Sequence, residues 1–310
     1  DNEEVIMYDI IGDIHGYADK LEALLANLGY ENRSGLWVPP AGRQAIFLGD
    51  LIDRGPEQVK VVDIVRRMQR AGYAQCILGN HEFNALGYVT PVPGKADAFA
   101  RPRTPSKVAQ HAEFLRQVGE GSALHLDMLS WFRTLKPALD LGGLRVVHAW
   151  WHPPYVELVN DALGDGIMDA AFVLEAFDKS TALYAAMEGL TKGQEIRLPK
   201  GHSFEDHTGE KRKKVRTRWW LRDATCYSEV SIVPEDQEHG VPVHPLDESF
   251  VRGEAPDKPI FVGHYWFKGR PAVQTDKVAV LDWSAAGDGP VVAYRWDGES
   301  VLSDEKFVTS

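Results

Sequence analysis

Cysteine is nearly absent: the 310 residues contain two, Cys76 and Cys226. A disulfide scaffold is thereby excluded, and a reduced compartment fits. No run of about 18 apolar residues occurs, so no membrane-spanning helix is expected. Basic charge is in the minority, 34 lysines and arginines against 45 aspartates and glutamates, for a formal net charge of -11. That balance excludes a protein that coats duplex nucleic acid, because phosphate contacts need net basic surface. It leaves room for a local basic patch facing a phosphorylated ligand. Internal repeats and low-complexity tracts are missing too, and the opening stretch, DNEEVIMYDI, has no basic segment leading into an apolar one. The expectation is a cytoplasmic protein with no membrane partner, its oligomeric state left open by the sequence.

What is there is ordinary for a soluble globular chain: 44% hydrophobic and 25% charged residues, enough to bury a large core. VIMYDIIGDIHG reads as a short buried strand, Val5 to Ile11, ending in a glycine-bounded loop. Leu21, Leu24, Leu25 and Leu28 then fall on one helix face closed by Gly29. QAIFLGD is a second strand, GPEQVKVVDIVRRMQRAGY a helix opening at Pro56, and QCILGN a third strand. Apolar strands alternating with helices indicate βαβ units and a parallel sheet buried on both faces. Residues 84–137 turn loop-rich, then helical. PALDLGGLRVVHAWW is expected to be a hairpin over Gly142–Gly143. A helical stretch with Leu183, Ala186, Met187 and Leu190 follows, capped by Ser180 or Thr181. The end offers three short strands, in KPIFVGHYW, KVAVLDW and PVVAYRWDGES, expected to add antiparallel pairing.

Each of the first three strands stops at a glycine followed by polar residues: GDIHG with Asp13 and His15, GDLIDRG with Asp50, Asp53 and Arg54, and GNHE with Asn80, His81 and Glu82. His148 in VVHAW and His264 in FVGHYW end two later strands. Ligands of α/β sheets gather at the carboxyl ends of strands, so these clusters are candidates for one site. Three histidines, two aspartates and an asparagine supply nitrogen and oxygen donors without thiolate, a set suited to Mn, Fe or Zn. Two ions about 3.5–4 Å apart, bridged by one carboxylate, can clamp a phosphoryl group.

GDIHG, GDLIDRG and GNHE in that order, followed by two isolated strand-end histidines, resemble the calcineurin-like metallophosphoesterases. Within them the chain is similar to the phosphoprotein phosphatase group, which includes bacterial serine/threonine phosphatases and diadenosine tetraphosphatase-like enzymes. The motif frame runs from Asp13 to His264. The resemblance implies an α/β fold, a four-layer sandwich with two central mixed β-sheets flanked by helices. It implies one catalytic domain over 1–310, with a helical and loop insertion at about 150–257, and so overrules the soft prior of about two domains that length alone gives. It implies two divalent metal ions, Mn first and Fe or Zn as alternatives. Asp13 and His15 would bind the first ion, Asp50 would bridge, and Asn80, His148 and His264 would bind the second. His81 would be the general acid, oriented by Asp53; Glu82 would support the loop. Arg54 would grip phosphate oxygens, joined by an arginine of RTRWW, Arg218 with Arg216 next. The expected reaction is in-line attack by a hydroxide held between the ions.

Blander readings stand beside these. Taken singly, Asp13 and Asp50 fit helix caps or turns, and His148 and His264 fit core or loop histidines; the joint motif set outweighs that. His202 and His207 read as a polar loop, His152 as loop or support, Cys76 as inert core, and the basic run Lys211 to Arg222 as either a solvated hairpin or a phosphate attractor. Trp150, Trp151, Trp219 and Trp220 fit core or the wall of a pocket. The sequence puts hydrolysis of phosphomonoesters first, phosphoproteins among them, with a dinucleoside polyphosphate substrate of the diadenosine tetraphosphate type as the alternative. A metal-bound scaffold without turnover would be missing a ligand or the acid, and none is missing.

Overall fold

A computed structural model describes residues 7–206 and 209–310, so Val5 and Ile6 of the first expected strand, and His207, lie outside the described residues. The chain divides into two compact units, residues 1–191 with 258–310, and residues 192–257.

The larger unit opens with β1 (Met7–Ile11) and α1 (Ala18–Asn27), whose buried face carries Leu21, Leu24 and Leu25. Gly29, at φ 83°, takes the left-handed turn that ends the helix. A small hairpin that the apolar pattern did not foretell follows, β2 (Glu31–Arg33) with β3 (Leu36–Val38). Next come β4 (Arg43–Phe47), α2 (Gln58–Arg70) and β5 (Ala74–Cys76). The third strand is shorter than expected, because Asn80 already opens a helix, α3 (Asn80–Val89). Then come α4 (Pro105–Val118), capped by Thr104, and α5 (Ala123–Phe132), capped by Ser122. The expected hairpin over Gly142–Gly143 forms as β6 (Ala138–Asp140) and β7 (Arg145–Val147). Three helices follow, α6 (Pro153–Leu163), α7 (Ala170–Phe177) and α8 (Ala182–Lys192). Thr181, rather than Ser180, meets the last of them, its Oγ1 accepting the Tyr184 N–H at 3.0 Å.

The smaller unit holds β8 (Glu195–Arg197), β9 (Phe204–Glu205), β10 (Lys211–Arg212), β11 (Lys214–Thr217), α9 (Tyr227–Val230) and β12 (Ser231–Ile232). β11 pairs antiparallel with both β8 and β12, and β9 pairs with β10. Ile196, Val215, Tyr227, Val230 and Phe250 form its own apolar centre.

The larger unit resumes with β13 (Ile260–Val262), β14 (Val278–Val280), β15 (Val292–Trp296) and β16 (Phe307–Thr309). One sheet runs β16-β15-β1-β4-β5 and the other β14-β13-β7-β6. In the first, β1, β4 and β5 are parallel and β15 and β16 antiparallel. In the second, β13 lies parallel to both β7 and β14. That corrects the antiparallel pairing expected of the strands in KPIFVGHYW and KVAVLDW, while β15 pairs antiparallel as expected: the 263–277 connection carries the chain back to the same end of the sheet without a helix. Ile10, Ile46, Leu48 and Tyr294 of the first sheet pack with Val146, Phe261, Ala279 and Leu281 of the second. Each of the isoleucine, leucine, valine and phenylalanine side chains among these contributes ~1.5–3 kcal/mol, upper-bound figures that chain entropy largely offsets. The result is a mixed α/β fold with mixed sheets flanked by helices. Among the described residues, no helix is long and apolar enough to cross a membrane.

Candidate metal centre and active site

Parallel pairing sets the site. Because β1, β4 and β5 point one way, the turns carrying Asp13, Asp50 and Asn80 leave one edge of their sheet. Likewise β7, β13 and β14 deliver His148, His264 and Asp282 from one edge of the other. Five of the predicted residues have left-handed backbones, His15 (φ 50°), Asp50 (φ 52°), Asp53 (φ 61°), Arg54 (φ 92°) and His264 (φ 70°). Such conformations cost of order 1–3 kcal/mol each outside glycine and persist where surrounding contacts enforce them.

Those contacts are visible. The His15 Nδ1–H donates to the Ile52 carbonyl at 2.9 Å, which turns Nε2 inward, 3.7 Å from Asp50 Oδ2 and 3.8 Å from Asp13 Oδ2. The His148 Nδ1–H donates to the Leu48 carbonyl at 2.6 Å, and its Nε2 lies 3.1 Å from Asn80 Oδ1 and 3.3 Å from Asp50 Oδ2. His264 Nδ1 is 2.8 Å from the same Asn80 oxygen. Asp50 is thus the member common to two clusters able to hold an ion, one with His15 and His81 and one with His148 and His264.

His81 presents its Nδ1–H to Asp53 Oδ2 at 2.6 Å, and its Nε2 lies 3.9 Å from Asp50 Oδ2. Burial opposes its charged form, but Asp50 and Asp53 outweigh that and lift the imidazole above its usual pKa. Burial and the neighbouring His81 push His15 down to about 4, so it stays a neutral, ligand-ready imidazole. Burial, then Asp282 and Asp50, raise Asp13 well above the carboxylate range. Burial likewise resists ionisation of Asp50, yet His148 and His81 hold it well below that range.

Glu82 sits on the first turn of α3. Its carboxylate accepts the N–H groups of Asp50 (2.8 Å), Leu51 (2.8 Å) and Gly79 (3.1 Å), tying two motif turns together. Arg54 is exposed, its guanidinium 4.5 Å above the Trp266 ring. Arg218 belongs to the 192–257 unit; there its guanidinium donates to the Ser231 carbonyl, and burial lowers its pKa. Arg216 lies beside it on β11, and Trp219 and Trp220 are buried in the same unit. Trp150 is buried and stacked on His152, which precedes α6, and Trp151 lies under Arg145. Cys76 is buried, its thiol pushed up by burial and by Glu82, which fits the inert reading.

Two members of the neighbourhood went unassigned in the sequence. Asp282, after β14, accepts the N–H groups of Trp266 (2.7 Å) and Ser284 (3.1 Å), and burial, with Asp50 nearby, raises it to about 6. His111, on α4, gives its Nδ1–H to the second oxygen of Asp53 at 2.8 Å. Its one sequence signal was a histidine in step with the apolar positions Phe114, Leu115 and Val118.

The residues fit divalent cations. His15 Nε2 is buried with no hydrogen-bond partner among the described residues, although Nδ1 is satisfied. Asp13, Asp50, Glu82 and Asp282 crowd negative charge into a buried space, which a cation relieves.

The calcineurin-like phosphoesterase family model matches residues 8–179. Among curated proteins, the bis(5'-nucleosyl)-tetraphosphatase PrpE (asymmetrical) of Oceanobacillus iheyensis is 44% identical over 73 residues, 24% of this chain and 29% of that protein. Its counterpart from Bacillus subtilis is 43% identical over 88 residues, 28% of this chain and 36% of that protein. The chain therefore spans roughly a third of the length of these relatives. Among solved structures, the cold-active protein-tyrosine phosphatase of a psychrophilic Shewanella species superposes with a TM-score of 0.52 at 14% identity, over 96% of this chain and 81% of that one. A serine/threonine phosphatase from Saccharomyces cerevisiae gives 0.50 at 12%, over 100% and 80%. Both likenesses are of fold. With the family match running over more than half of its residues and the motif side chains converging on Asp50, the chain belongs to the calcineurin-like phosphoesterase family of hydrolases.

Proposed function

We propose that this hydrolase cleaves a phosphoric ester or anhydride bond in a phosphorylated small molecule, with dinucleoside polyphosphates of the diadenosine tetraphosphate type ahead of phosphomonoesters. The order reverses the one drawn from sequence. What supports the change is that the curated relatives carry the name of a tetraphosphatase, whereas the likeness to protein phosphatases is one of fold. The observation that carries the chemistry is the position of Asp50 between two histidine clusters, beside the His81–Asp53 pair. In this reading Asp13, His15 and Asp50 hold one divalent ion, and Asp50, Asn80, His148 and His264 hold a second. Manganese suits the nitrogen and oxygen donors, with iron or zinc as alternatives. Bound there, the ions supply Lewis-acid polarisation of the phosphoryl group.

The chain's own residues do the rest. Arg54 binds the phosphate oxygens, where a planar guanidinium suits two acceptors at once. The second phosphate ligand expected from the sequence, Arg218 with Arg216 next, belongs to the 192–257 unit and rests on the RTRWW resemblance alone. As water's oxygen bonds to phosphorus and gives up a proton to solvent, the bond to the leaving oxygen breaks, that oxygen takes a proton from His81 Nε2, and His81 regains one from solvent. Asp53 keeps the His81 ring turned by holding Nδ1–H. We read the chain as one catalytic domain with an insertion at about 150–257, of which residues 192–257 form the separate compact unit.

The test is a panel of diadenosine tetraphosphate, p-nitrophenyl phosphate and a phosphopeptide, offered to the manganese-loaded protein. A kcat/KM highest for the dinucleotide is expected. A preference for the phosphopeptide would restore the original order, and hydrolysis of none would remove the reading altogether.

A further inference from the structure

We infer that His111 is a positioning residue for the His81–Asp53 pair, an inference that rests on the proposed role of His81 as acid. The Asp53 carboxylate is held at both oxygens by imidazoles: Oδ2 takes the His81 Nδ1–H at 2.6 Å and Oδ1 takes the His111 Nδ1–H at 2.8 Å. One donor leaves a carboxylate free to rotate about its last torsion, which is a broad and roughly two-fold well. A second donor on the opposite oxygen fixes the plane, and with it the direction in which His81 is pulled.

His111 is well placed to impose that plane. It is buried, with its ring against Tyr88 and Phe114 at centroid distances of 5.1 and 5.0 Å. Its Nε2 has no hydrogen-bond partner among the described residues, which leaves Asp53 as the ring's one hydrogen-bond partner among them. An imidazole kept in apolar surroundings for a single polar contact is poorly explained by packing, which Phe or Leu would serve without an unsatisfied nitrogen. The helix carrying His111 is also tied to the loop that carries Asp53. Gln117 accepts the Gln58 N–H at 2.7 Å and donates to the Gly55 carbonyl at 3.2 Å, while Gln58 accepts the Asp53 N–H at 2.9 Å. Helix α4 thus sets both the backbone and the carboxylate of Asp53.

The test compares His111→Phe with His111→Asn, whose amide can place a donor near the Nδ1 position. An acid held in the wrong direction hurts most where the leaving group needs a proton. With manganese-loaded protein, His111→Phe should lower kcat for an alkyl phosphate by ~10–100-fold, part of the ~10²–10⁴-fold that general acid catalysis supplies. Its kcat for the activated p-nitrophenyl ester should fall only a few-fold, with KM little changed and the metal content intact. His111→Asn should recover most of the loss. A fall of equal size for both esters, or no fall, overturns the inference. Proton NMR gives a reading independent of turnover: His111→Phe should shift the downfield His81 Nδ1–H resonance, and His111→Asn should bring it most of the way back. An unmoved resonance overturns the inference even if wild-type protein is active. A wild-type protein that hydrolyses no phosphate compound defeats the proposed function, and the resonance still decides about His111.

Discussion

The carboxylate of Asp13 accepts the backbone N–H of His264 through both oxygens, at 3.2 Å each. A residue from the first strand end is thereby fastened to one from a strand near the end of the chain, and the contact is possible only because Gly263 has no side chain. A β-carbon there would fall inside the van der Waals envelope of Asp13 Oδ1. Gly263→Ala should therefore displace the Asp13 carboxylate or the His264 turn. We expect a stability loss of ~1–3 kcal/mol, as for other overpacked sites, together with weaker manganese binding, read by thermal melts and calorimetric titration. Unchanged values for both would show that the turn accommodates the methyl group.

Asp50 stands in both ion-holding clusters. Asp50→Ala should abolish metal uptake at both positions and remove activity with it, measured as metal content and turnover of the same sample. Retention of both ions at full occupancy would contradict its bridging position.

Asp53 accepts from two imidazoles and has no place among the proposed ligands. In Asp53→Asn one imidazole must face an amide N–H. Metal content should be unchanged while kcat falls ~10²–10⁴-fold, the range for loss of general acid catalysis. Loss of metal in this variant would place Asp53 in the metal site instead.

Buried carboxyls near the donors make cation binding pH-dependent. Burial first, and the Asp50 charge second, lift Glu82 to about 7; burial lifts Asp282 to about 6. Without cations the folded chain holds these protons above the pH at which the unfolded chain has lost them. Each group therefore takes stability away as pH rises from the ordinary carboxylate range to its folded pKa. A cation favours the ionised forms, so binding at about pH 6 should release protons and affinity should rise with pH, the raised Asp13 carboxyl and His148 imidazole adding to the release. His15, already lowered to about 4, gives no compensating release. Titration calorimetry in buffers of different ionisation enthalpy reads the proton count, and a count that does not change between about pH 6 and about pH 8 would contradict the linkage.

The sequence carries the first half of this fold openly. Leu21, Leu24 and Leu25, and Val61, Ile64, Val65 and Met68, keep helical step, and β1 and β4 end in buried apolar residues, Ile10 and Ile11 and then Ala45, Ile46 and Phe47, because both faces of their sheet are covered there. The candidate site left a local mark too: Asp13, Asp50, Asn80 and His264 each follow a glycine at a strand end, and polar residues cluster there. His111 and Asp282 left no such mark. His111 acts through Asp53 from a helix reached only by tertiary packing, and Asp282 sits in a turn whose partner, Trp266, is remote in sequence. The parallel pairing of β13 with β14 was hidden because the 263–277 connection has no helix to announce a crossover.

The most direct test is anomalous diffraction from crystals of this chain grown with excess manganese. Two peaks flanking the Asp50 carboxylate are predicted, one beside Asp13 and His15 and the other beside Asn80, His148 and His264. A single peak, or none among these side chains, would contradict the account.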